Sequence, residues 1–121
     1  MYSKMKKSTA ILILALATCS LFAQDITGTW TGAFNAQGQQ LRINFNITAS
    51  GDGFTSTLDS PDQNALGIPV DTTTYKKPDL RIVITALNFA YTGKLTEDNK
   101  IDGSFTQMGQ TFELDMTKKE E

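Results

Sequence analysis

From Ile26 onward, hydrophobic and polar residues alternate with a period of two. Ile26, Gly28, Trp30, Gly32 and Phe34 share one face, opposite Thr27, Thr29, Thr31 and Asn35. Leu41, Ile43, Phe45 and Ile47 alternate just as regularly with Arg42, Asn44, Asn46 and Thr48. Successive side chains of a strand point to opposite faces, whereas a helix groups apolar residues three and four apart. These segments therefore predict strands with one dry and one wet face. After the turn Ser50-Gly51-Asp52-Gly53 come Phe54, Ser56 and Leu58 on one face, and a fourth strand carries Ile68, Val70, Thr72 and Thr74 inward. The turn Lys76-Lys77-Pro78-Asp79 leads to Leu80, Ile82 and Ile84, and Phe89, Tyr91, Gly93 and Leu95 form a sixth strand. Turns at residues 97–100 and 107–110 introduce Ile101, Gly103, Phe105 and then Phe112, Leu114, Met116, with residues 118–121 read as a solvated tail.

Eight short strands joined mostly by hairpin-length turns predict an all-β, antiparallel meander, because parallel pairing needs long crossovers. Closure into an eight-stranded up-and-down barrel removes the exposed edges most simply. A two-sheet β-sandwich is the alternative, since the pattern does not show whether first and last strands pair. Gly28, Gly32, Gly93 and Gly103 fall on inward faces, where glycine permits close approach of another backbone. With one Trp and most of the Phe residues facing in, the interior is expected to be filled, leaving at most a shallow pocket near one mouth.

The N-terminus has a different character. Lys4, Lys6 and Lys7 precede an apolar run from Ala10 to Ala17, followed by Leu21-Phe22-Ala23-Gln24. A basic stretch, a short apolar core and a small residue before a polar one read as a secretory leader over residues 1–23. The run is too short to span a bilayer, which takes about 20 residues. Residues 24–121 then form one exported domain, periplasmic or secreted. Leu16-Ala17-Thr18-Cys19 offers a rival route, a lipobox-like site that would leave a lipid anchor on Cys19 at the outer membrane.

Composition narrows the chemistry. The 121 residues contain no His and one Cys, with a formal charge of −2. Absence of His removes the commonest general base and metal ligand, and with it any Ser-His-Asp or Cys-His nucleophile. No cofactor and no metal site are expected. Loss of Lys4, Lys6 and Lys7 with the leader leaves eight basic against 13 acidic residues, a balance that disfavours nucleic acid and anionic membranes.

The longest connection, Ser60-Pro61-Asp62-Gln63-Asn64-Ala65-Leu66-Gly67, exceeds hairpin length, and long loops are often functional or serve as caps. Ser60, Asp62, Gln63 and Asn64 are its candidate contacts at a barrel mouth. The structural alternative is a self-satisfied loop, with Asp62 capping backbone and Leu66 plugging the end. Trp30, Tyr75 and Tyr91 are candidate stacking surfaces, against the alternative of core aromatics; Tyr75 is expected to be the more exposed. Asp59 and Asp62 are the nearest approach to a carboxylate pair, although solvated acids are the simpler reading. Glu97, Asp98, Asn99 and Asp102 lack the spacing of a calcium loop, and Lys100 lies among them.

Gly28-Thr29-Trp30 is similar to the G-x-W start of lipocalin-type barrels. Asp25-Ile26-Thr27-Gly28-Thr29-Trp30, Leu41-Arg42-Ile43-Asn44-Phe45, the run from Ser60 to Val70 and Gly109-Gln110 together resemble the N-terminal module preceding the catalytic domain of exported Bacteroidetes-type α/β-hydrolases. The resemblance covers nearly the whole of residues 24–121. It carries over no catalytic residue, because the sequence has no G-x-S-x-G and no His. It implies a stand-alone accessory module, not a hydrolase. The expected function is a secreted, non-enzymatic binding module for a protein, glycan or small amphiphile, with a separately encoded hydrolase as one conceivable partner. The alternative is a lipocalin-like carrier of a small apolar ligand, which requires a continuous cavity of at least about 300 Å³.

Overall fold

The computed structural model describes residues 26–120; the predicted leader and Cys19 lie outside them. Ten strands form one antiparallel sheet: β1 (Gly28–Ala36), β2 (Gln39–Ser50), β3 (Gly53–Ser60), β4 (Ala65–Pro69), β5 (Thr72–Lys76), β6 (Asp79–Ile84), β7 (Phe89–Glu97), β8 (Lys100–Gln107), β9 (Gln110–Glu113) and β10 (Met116–Lys118). The hydrogen-bonded order is β4-β3-β2-β1-β10-β8-β7-β6-β5, with β9 pairing from β8. First and last strands do pair, Trp30 opposite Lys118, so the sheet curls into a barrel-like shape and not a two-sheet sandwich.

Two departures from the predicted eight closed strands share a cause. Counting antiparallel steps along the sheet, β4 and β5 run in the same direction, as two halves of one bent stretch. The first half pairs with β3, Leu58 opposite Ile68, and the second with β6, Thr73 opposite Ile82. No ladder joins the two ends of the sheet among the described residues, so the barrel is open at this seam. It is laced instead by Val70 N–H to Ser56 O at 3.2 Å and by the hydroxyls of Ser56 and Thr73 at 2.6 Å. The bend also shifts the side-chain phase. Ile68 and Val70 are half-buried, but beyond the break Thr73 is buried while Thr72 and Thr74 are exposed. The inward positions predicted at Thr72 and Thr74 are thus corrected to Thr73 and Tyr75, because a one-residue slip moves every side chain to the other face.

The eighth predicted strand is likewise split into β9 and β10 at Leu114 and Asp115. There the carbonyl of Asp115 presses against Gly32, with no room for a side chain. The expected solvated tail is corrected as well. Lys118 belongs to β10, its ammonium 5.8 Å from the Trp30 ring centroid, and the Lys119 N–H donates to Thr29 O at 2.8 Å.

Alternation buries one face of every long strand. Ile43, Phe45 and Ile47 of β2 meet Leu80 and Ile82 of β6, Tyr91 of β7 and Phe105 of β8 in a single core. Aromatic rings run through it: Phe45 lies 5.1 Å from Tyr91, and Phe89 and Phe34 lie 5.0 and 4.9 Å from Phe105. Gly93 and Gly103 face each other across β7 and β8, and a side chain at Gly103 would collide with the Tyr91 hydroxyl. The paired glycines make the recess in which that ring sits. On the wet face, Asn46 accepts from Thr29 at 3.0 Å and donates to Thr57 and Asp59 at 3.1 and 3.0 Å, tying β1, β2 and β3 together.

Candidate functional site

Strand directions sort the connections into two ends. Residues 37–38, 61–64, 85–88 and 108–109 lie at one end; residues 51–52, 77–78, 98–99 and both limits of the described chain lie at the other. The predicted loop is at the first end, and most of it is ordered structure. Pro61–Gln63 is a single 3-10 turn, begun by a proline whose missing N–H is no loss there and closed by Asn64 in the left-handed region at φ 59°. The Asn64 N–H returns to Pro61 O at 3.1 Å.

Asp62 pins this turn to β2. Its carboxylate accepts the backbone N–H of Arg42 at 2.8 Å and the guanidinium at 2.9 and 3.3 Å. These hydrogen bonds from Arg42 hold the Asp62 carboxyl below the usual range, and the pairing raises Arg42 in turn. Asp59 accepts the Gly67 N–H at 2.8 Å and Asn46 Nδ2 at 3.0 Å, closing the base of the loop. Both carboxylates are thus engaged in holding backbone. A general acid of a glycosidase pair needs a raised pKa, and Asp62 is moved the other way. Leu66 does not plug the end: left-handed Asn64 and Gly67 turn it outward, 72% exposed, while Ala65 and Ile68 face inward.

A second 3-10 turn, Thr85–Leu87, mirrors the first and also closes on a left-handed Asn, Asn88 at φ 54°. The Thr85 N–H donates to Asp71 at 2.6 Å, fastening this turn to the bend between β4 and β5. Between the two turns, above the seam, lies a pocket of about 240 Å³. Its floor is Ile43, Leu58, Phe89 and Phe105, and its walls include Phe34, Ile68 and Leu87. Three polar side chains reach it: Ser60, Gln63 and Gln107. Ser60 Oγ donates to Gln63 Oε1 at 2.7 Å, and Gln107 Nε2 donates to Leu87 O at 3.1 Å. Both amides are held at one end by these bonds, which leave the Gln63 nitrogen as a donor and the Gln107 oxygen as an acceptor. A larger depression at the other end, bounded by Thr27, Ala49, Asn99 and Lys119, is an open groove between strand edges.

The structure therefore brings Ser60 and Gln63 of the predicted residues to one pocket. Asp62 and Asn64 shape the loop without lining it. Trp30 and Tyr91 are fully buried in the core, the former donating to Ile26 O at 2.8 Å and the latter to Leu114 O at 2.9 Å. Burial pushes the Tyr91 phenol far up, and Asp115 and Asp102 add to the shift. Tyr75 is half-buried by the phase change after Val70 and packs edge-on to Phe54 at 6.2 Å. None of the three is an exposed stacking platform. Leu87 and Gln107 were not anticipated; the one local signal was Asn88 before Phe89, which echoes Asn64 before Ala65.

Among the described residues no three His, Cys, Asp or Glu side chains gather into a metal-binding group, and no helix is long and apolar enough to cross a membrane. Fold and site together define a small antiparallel, barrel-like β protein with a packed interior and a neutral pocket at one mouth. No protein-family model matches the chain, and comparison with curated proteins returns no match.

Proposed function

We propose that this protein is an exported, non-enzymatic binding module that engages its partner through the mouth formed by the turns at residues 61–64 and 85–88. The observation that carries this reading is the pocket itself, apolar in its floor and rimmed by the neutral groups of Ser60, Gln63 and Gln107. Concave sites of this composition, with few convergent polar groups, are the usual form of a recognition site. The sequence supplies no His for acid–base work, and the two nearest acids are spent on backbone contacts. Trp30, Phe45, Tyr91 and Phe105 fill the space a carrier would need, and about 240 Å³ falls below the roughly 300–1,000 Å³ of small-molecule sites. The packed interior thus favours recognition at the mouth over transport inside it. The resemblance to the accessory module of exported hydrolases, which carries over no catalytic residue, agrees with a non-enzymatic module and with residues 1–23 as its leader.

The test is nitrogen-15 shift mapping of the purified protein against capped amino acids, disaccharides and an alkyl glucoside below micelle formation. Shifts clustered at Gln63, Leu87 and Gln107 are expected for at least one class. Silence at the mouth for every class, or shifts confined to the groove near Lys119, would overturn the assignment.

A further inference from the structure

The mouth differs from the rest of the surface in its charge. All six described glutamines, Gln37, Gln39, Gln40, Gln63, Gln107 and Gln110, lie at this end, whereas all six described lysines lie toward the other. The one acid in the turns there, Asp62, is neutralised by Arg42 at 2.9 Å. Beside the pocket, three large apolar side chains face solvent: Leu66, Leu87 and Met108, the last 79% exposed. Met108 occupies the left-handed first position of a two-residue hairpin turn at φ 51°, where Asn or Gly is the favoured choice. An apolar side chain is thus kept exposed at a position that local backbone preference assigns to a polar residue or none.

Resting on the reading of the mouth as a binding site, we infer that its occupant is a protein segment that inserts one uncharged, apolar side chain into the pocket. Size points this way. A cavity of about 240 Å³ is below that of drug-sized ligands but holds one Leu- or Phe-sized anchor, the usual centre of a protein interface. Chemistry agrees, because the free nitrogen of Gln63 and free oxygen of Gln107 present one donor and one acceptor, the complement of a peptide unit's C=O and N–H. The anionic groups of lipids and nucleic acids would meet no lysine here, and the one nearby guanidinium, Arg42, is already paired with Asp62. A saccharide would find no fully exposed ring to stack on, since Phe89 and Phe105 are buried and Phe34 is half-buried. Strand addition at β4, the end strand that borders the pocket, is disfavoured by Gly67 at φ 68° and Pro69, which interrupt that edge. The segment is therefore gripped by its side chain, and Leu66, Leu87 and Met108 cover its flanks.

The probe is N-acetyl-leucine methylamide, titrated against the purified protein and followed by nitrogen-15 shifts, with capped lysine, maltose and an alkyl glucoside as comparators. Capped leucine should shift Gln63, Leu87 and Gln107 with millimolar affinity, as suits so small a ligand, and capped lysine should bind at least about fivefold more weakly. Ala65→Phe, which fills the pocket from its half-buried wall, should abolish the shifts. Gln107→Ala should weaken binding at least about threefold and gives an independent reading should the first variant not fold. Mouth shifts with maltose or the glucoside but not with capped leucine would overturn this inference and leave the binding site standing. No mouth shifts with any probe would overturn both. Undiminished capped-leucine binding in a folded Ala65→Phe protein would also overturn the inference.

Discussion

Asp62 illustrates how a residue that reads as a ligand contact can instead be a joint. Its bonds to the Arg42 backbone and guanidinium hold the 3-10 turn on β2, and they lower its pKa. A depressed folded-state pKa contributes order that is present above the ordinary carboxylate value near 3.8 and is lost as pH falls through the lower folded value. The Arg42 amide resonance should therefore titrate with a midpoint below 3.8, and a midpoint at or above it would contradict the pairing. Tyr91 is a second joint, buried deep between Gly93 and Gly103 with its hydroxyl on Leu114 O. That carbonyl lies in the break between β9 and β10, outside the ladder pairs of either strand. Tyr91→Phe leaves a buried acceptor unsatisfied and should cost about 1–3 kcal/mol in urea-induced unfolding. Periodicity placed Tyr91 on the inner face correctly, but its bond spans 23 residues of chain and had no local signature.

At the scale of elements, the instructive stretch is the bent pair β4 and β5. Regular alternation stops at Val70, and the chain crosses from β3 to β6 within Val70 and Asp71. Ser56, Thr73 and Asp71 hold this crossing by side-chain hydrogen bonds where ladder bonds are missing. Asp71→Ala removes the acceptor of the Thr85 N–H, an exposed contact worth about 0.5–1.5 kcal/mol. Amide exchange should then accelerate at Thr85 and along β4 while β1 and β2 remain protected, since stability is distributed unevenly over a fold. Equal acceleration throughout the sheet would mean that the seam is not an independent unit. The strands themselves were legible because a half-buried strand must alternate. The bend was not, because the weakly apolar Ile68-Pro69-Val70-Asp71-Thr72 run admits either phase.

Across the whole molecule, the separation of amides from lysines makes one end neutral and the other charged. Exposed charges more than about 8 Å apart are largely screened at physiological salt, so binding at the mouth should be insensitive to ionic strength. The affinity of capped leucine should change by less than about twofold between 50 and 500 mM salt; a steep dependence would place the contact near the lysines. The seam and the mouth also belong together. The pocket opens where β4 parts from the turn at Thr85–Leu87, so the same bend that leaves the barrel open creates this apolar recess.

By itself the sequence determined the all-β antiparallel architecture, the inward positions of nearly every core residue, the exclusion of histidine-dependent chemistry and the end of the molecule where a long polar loop would stand. Those properties follow from periodicity and composition, which are local and additive. Only the tertiary structure decided that the two predicted strands break, that Asp62 is locked to Arg42, and that Tyr75 turns inward. It also decided that Ser60 and Gln63 meet Leu87 and Gln107, residues 20 or more positions away. Such pairings depend on the twist and closure of the sheet, through which segments without mutual sequence signal are brought within hydrogen-bonding reach.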